Sequence, residues 1–177
     1  MQNGSGGACD RRKTAPTLYE LQRAMVATKT SRLGACRCSV TRVLPNWPAG
    51  TVTILATSGA EPHAIPVSAA VRAGPDRVVI ALAAGRESLA RLLADPRVAL
   101  AILSEGDVAL TAYGDARVIQ QDLVDGVVAV EIEVERVQNH GRDTFVIEAA
   151  VRWRWTDPVA QARDAEVRAA LDRLAQR

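Results

Sequence analysis

The sequence predicts a mainly β (α+β) protein, a small antiparallel β-barrel with peripheral helices. Three patterns carry this. Between residues 51 and 120 short apolar runs follow one another, separated by Gly/Pro/Asp turns. In Val127–Val137, the apolar Val128, Val130, Ile132 and Val134 alternate with Glu131, Glu133 and Glu135, as a strand with one buried and one wet face should. Helical spacing is confined to three places: near the start, in one short internal stretch, and at the end.

In chain order, residues 1–15 (MQNGSGGACDRRKTA) read as a disordered leader, since they have little apolar surface to bury. Leu18, Leu21, Met25 and Val26 then form one stripe, predicting a helix over 16–29. Pro45 and Pro48 break regular structure, so residues 16–50 form a helical extension and linker, and 51–177 the barrel domain. Thr51–Thr57 is a β-branched strand, closed by the turn Ser58-Gly59-Ala60-Glu61. Ala64–Val71 is read as one strand, with Ile65, Val67, Ala69 and Val71 on one face. Arg77–Ala84 is apolar throughout, as expected when both faces are covered.

Leu89, Leu92 and Leu93 place a helix over 86–94, and Asp95-Pro96 ends it, because a residue before proline leaves the helical region. Arg97–Ser104 and Val108–Gln120 are the next strands. A last strand is expected over Thr144–Trp155, where Phe145, Ile147, Ala149, Val151, Trp153 and Trp155 alternate with Glu148, Arg152 and Arg154. Arg152 and Arg154 of its basic row are read as facing solvent or as pairing with Glu131 and Glu133 across the sheet, at about 0.2–1 kcal/mol per pair, with an anionic ligand as the lesser alternative. Asp157 caps a final helix with Pro158 at its first position, and Val167, Leu171 and Leu174 form its apolar stripe.

Bulk properties narrow the function. The chain has 177 residues, 48% apolar and 24% charged, which suits one soluble domain. Its 22 basic and 20 acidic residues leave a formal charge of +2, and they interleave along the chain, so no basic face for nucleic acid is expected. No run approaches the roughly 20 apolar residues needed to span a bilayer, and no secretory signal opens the chain; the cytoplasm is the default location. Cys9, Cys36 and Cys38 are too few and too clustered for a disulfide framework and read as free thiols. A structural zinc site needs four ligands, and no second cysteine pair follows Cys36-x-Cys38, so no metal is expected.

Particular stretches carry a resemblance. Ile54-Leu-Ala-Thr57 followed by Pro62-His-Ala-Ile-Pro66-Val67, the helix segment running from Arg86 into Asp95-Pro96-Arg-Val-Ala-Leu100, and Ala112-Tyr-Gly-Asp-Ala116-Arg-Val118 together resemble the pyridoxamine-5′-phosphate-oxidase-like family of FMN-binding split β-barrels. The resemblance covers roughly residues 44–155 and rests on order and spacing. It implies a six- to seven-stranded split barrel, a homodimer with the cofactor at the subunit interface, and oxidoreductase chemistry on a small organic substrate. Implied cofactor-binding residues are Ala64, Ile65, Pro66, Val67 and Ser68 along the ring, with Ala84, Gly85, Arg86 and Ser88 around the phosphate.

Two positions after Arg86, where the family carries lysine or arginine, this sequence has Ser88; Arg86 or Arg91 is left to supply the charge. FMN is the first expectation, and a deazaflavin, another ligand or none stay open. His63 is read either as structural or as a general acid or hydrogen-bond donor to the flavin ring. Trp153 is read either as core or as a cover on the partner subunit's cofactor. No nucleophile or acid–base pair stands out, so no catalytic residue is assigned. The alternatives to an enzyme are a flavin- or haem-carrying barrel and a cofactor-less dimeric interaction module.

Overall fold

The computed structural model describes residues 40–177, with the backbone alone for Val40 and Thr41. The expected leader, the helix over 16–29 and all three cysteines lie outside the described residues.

The strands are β1 Val40–Thr41, β2 Thr53–Thr57, β3 His63–Val67, β4 Ala70–Arg72, β5 Arg77–Ala83, β6 Arg97–Ser104, β7 Val108–Val124 and β8 Val127–Asn139. Helix α1 spans Glu87–Ala94 and α2 spans Pro158–Ala175. Every pairing is antiparallel, in the order β3-β2-β6-β7-β8-β5-β4, with β1 added beside β8. The sheet is curled into a half-barrel: β3 and β5, far apart in this order, line one cavity.

Alternation decides what lies inside. Leu55, Ile80, Leu100, Ile102, Val130 and Ile132 are completely shielded from solvent. Each such side chain contributes roughly 1.5–3 kcal/mol of burial. Leu44 and Trp47, from the segment before β2, pack on the same core. A second cluster lies on the other face of the sheet, where Val167 and Leu171 of α2 cover Val79 and Ala129. This explains the uninterrupted apolar character of β5, whose two faces meet two different cores.

Asp157 caps α2 as expected, its carboxylate accepting from the Val159 N–H at 2.9 Å. The α1 helix likewise stops at Asp95, whose backbone is extended before Pro96. Within α1 the apolar stripe is narrower than the leucine spacing predicts: Leu89 and Leu92 are buried and Leu93 faces solvent. Between β7 and β8 the two-residue turn Asp125-Gly126 closes a long hairpin, and Gly126 takes a positive φ (65°) that glycine adopts at no steric cost.

Three expectations are corrected. The predicted strand Ala64–Val71 is two strands, because the chain leaves β2 after Val67 and joins β5 at Ala70. The bend also breaks the alternation: Ala69 faces the second core and Ala70 the first.

The segment 144–155 is not a strand. It has no ladder partner among the described residues, and its ties to the sheet loops include the Ile147 N–H donating to Asp107 Oδ1 at 3.0 Å and an ion pair between Arg152 and Glu105. Phe145, Val151, Trp153 and Trp155 are exposed, so Trp153 is not core.

Third, Glu131 does not face water. It is buried, and it pairs with Arg77 (3.2 Å) and Arg117 (2.6 Å) from the strands on either side. The expected pairing of Glu131 with the 152–154 row is therefore absent.

Candidate functional site

A cavity of about 360 Å³ lies between β3, β5 and the start of α1. That volume falls in the range of small-molecule sites, roughly 300–1,000 Å³. Ile65–Ser68 form one wall, Ala81–Ala83 the opposite wall, and Arg86 and Ser88 stand at the helix end. Each element arrives there for a local reason. Pairing with β2 holds β3 in register, Ile65 opposite Leu55 and His63 opposite Thr57. Pairing with β8 holds the end of β5, Ala83 opposite Val127. Burial of Leu89 and Leu92 then docks the first turn of α1.

The polar groups are few and differ in availability. Arg86 occupies the N-cap position of α1 with extended backbone and makes no side-chain cap bond. Its guanidinium has no partner among the described residues and can donate two parallel hydrogen bonds to an anion. Ser88 is 2% exposed, and its Oγ lies 3.0 Å from His63 Nε2. Arg91 is committed elsewhere: Nε donates to Glu87 Oε1 at 2.7 Å and Nη1 to the Glu61 carbonyl at 2.8 Å. The same Arg91 bond is the largest cause holding the Glu87 carboxyl below its ordinary 4.5.

The structure therefore brings together Ile65, Pro66, Val67, Ser68, Arg86 and Ser88 at one cavity, with His63 bonded to Ser88. Ala64 is exposed and not among the lining residues, and Ala84 and Gly85 form the exposed turn into α1. Arg91 holds the turn before β3, and Trp153 is exposed and absent from the lining. Ala81–Ala83 are the residues sequence reasoning missed. Their signal was present, since a strand leading directly into a helix N-terminus puts its last residues beside that helix.

Apolar walls with a free cation at the helix end fit a mostly apolar ligand bearing an anionic group. Among the described residues no group of three His, Cys, Asp or Glu side chains is arranged to hold a metal ion, and no helix is long and apolar enough to cross a membrane.

No family model matches this chain, and no curated protein does. Solved structures similar to it include a candidate pyridoxamine 5′-phosphate oxidase from Listeria innocua, at 16% identity and a TM-score of 0.43, covering 50% of this chain and 86% of that one. The styrene monooxygenase flavin reductase of Pseudomonas putida S12 is 13% identical with a TM-score of 0.44, covering 52% and 82%. A heme binding protein from Mycobacterium smegmatis is 21% identical with a TM-score of 0.41, covering 50% and 48%. These likenesses span half of the chain at low identity, so the functional reading rests on the cavity itself.

Proposed function

We propose that this chain is a cytoplasmic oxidoreductase of the pyridoxamine-phosphate-oxidase-like type. It binds FMN, or a phosphate-bearing deazaflavin, in the cavity between β3, β5 and α1, and acts on a small organic substrate. The observation that carries the reading is the joining of two apolar walls, Ile65–Val67 and Ala81–Ala83, to a free Arg86 at a helix start. Ile65, Val67 and Leu82 exclude water from an apolar ring, and Arg86 with the Ser88 hydroxyl holds the phosphate. The flavin supplies hydride transfer when bound, and the protein supplies placement and polarity.

The active form is a homodimer. Ile54 and Leu103 are 39% and 58% exposed on the face of β2 and β6 turned away from the core, beside the exposed Ala64 and Pro66 of β3. A second copy covering that face would bury an apolar patch that a monomer leaves wet.

Purified protein is expected to be yellow, with absorbance near about 450 nm, or to gain thermal stability when FMN or a deazaflavin is added. Arg86→Ala should weaken flavin binding by about 1–3 kcal/mol, the scale of a charged hydrogen bond. A colourless protein that neither cofactor stabilises overturns the proposal.

A further inference from the structure

We propose that His63 supplies the second positive charge of the anion subsite, acting through Ser88. The inference rests on the anion-binding reading of the cavity given above. Position 88 lines that cavity beside Arg86 and is almost fully buried, yet it holds a neutral hydroxyl. Arg91 cannot make up the charge, because Glu87 and the Glu61 carbonyl already hold its guanidinium. The remaining cationic candidate in contact with Ser88 is His63, 3.0 Å away.

The hydroxyl has a single proton, and this decides what the pair can do. With His63 neutral, either Nε2 is bare and Ser88 gives its proton to the ring, turning lone pairs towards the cavity, or Nε2 carries the proton and the hydroxyl is freed with no charge behind it. With His63 protonated, both ring nitrogens are donors. Nε2–H then donates to Ser88 Oγ, and the freed Ser88 O–H donates to an anion held at Arg86. One imidazolium charge is thus delivered through one hydroxyl, which makes His63 a positioning residue. Phosphate esters and sulfate share the chemistry recognised here, a tetrahedral oxyanion.

The charged groups near His63 are Glu61, two residues before it, Glu87, whose carboxyl senses the His63 charge, and Arg91, which bonds both Glu87 and the Glu61 carbonyl. Glu87 is held below its ordinary range, first by Arg91 and also by the charge of His63, so it stays ionised above pH 5 and adds no pH dependence there. Histidine is the side chain that changes charge between about pH 5 and 8, so anion affinity should rise as pH falls through that interval.

Sulfate is the probe, because it keeps its charge across the interval. Its dissociation constant, read from amide shifts or thermal stabilisation, should be roughly tenfold lower at about pH 5.5 than at about pH 8. His63→Gln and, independently, Ser88→Ala should flatten the profile, and His140→Gln should keep it. Arg86→Ala should weaken binding at both values. Absence of sulfate binding at the lower pH, a flat wild-type profile, or a profile that survives His63→Gln overturns the inference. The flavin reading is judged separately by FMN and deazaflavin stabilisation: a sulfate profile without flavin binding sinks the flavin alone, and flavin binding with a flat sulfate profile sinks the relay alone.

Discussion

Arg97 reaches back across Pro96 and grips Asp95 with two nitrogens, at 2.9 and 2.6 Å, while its own N–H bonds the same carboxylate at 3.1 Å. The Arg97 side chain is the largest cause of the shift of Asp95 from 3.8 to about 2. The folded value is depressed, so the contribution is complete above the unfolded value and fades as pH falls through about 4 towards 2. Melting temperatures of wild type and Asp95→Asn should therefore differ most near pH 6 and converge towards pH 2; a constant difference would show that Asp95 acts only as a spacer before proline. Glu131 shows the limit of reading at this scale. In the sequence it belongs to a row with Glu133 and Glu135, and nothing local marks it as buried. Its environment comes from Arg77 and Arg117 on the flanking strands. Removing the charge leaves two arginines facing a buried amide. Both are partly wet, at 38% and 70% exposure, which trims the cost of breaking a buried pair. Glu131→Gln should cost about 1–3 kcal/mol by urea unfolding, and a neutral result would make the triad dispensable.

At the scale of elements, β7 and β8 form the backbone of the half-barrel, and their register slips between Tyr113 and Gly114. A Cβ at position 114 would lie 1.9 Å from the Glu133 carbonyl oxygen, so this close approach needs glycine. Gly114→Ala should destabilise the fold by about 2–4 kcal/mol in chemical denaturation, since the obstacle is backbone and cannot rotate away. A cost below about 0.5 kcal/mol would mean that the bulge is free to move. The segment 144–155 teaches the converse. Its alternation is as regular as that of β8, yet it joins no ladder among the described residues. Period-two patterning belongs to one segment; a ladder needs a neighbour, and the neighbour is not encoded in the pattern.

For the whole molecule, curling brings β3 and β5 to one cavity and leaves the outer face of β2 and β6 apolar. Sedimentation should give twice the mass of the chain. Leu103→Asp should return it to the single-chain mass with its melting transition kept, because Leu103 is exposed in the isolated chain. A wild-type monomer would refute the dimer.

The sequence by itself determined the antiparallel strands, the stop of α1 at Asp95-Pro96 and the cap of α2 at Asp157, because each depends on residues a few positions apart. It also marked the stretch around Arg86 and Ser88. Only the tertiary structure decided that Ala64–Val71 divides between two neighbours, that Glu131 is buried, that Arg91 also holds the Glu61 carbonyl, and that His63 meets Ser88. Those outcomes depend on which strands and helices become neighbours, and side-chain period carries no information about that choice.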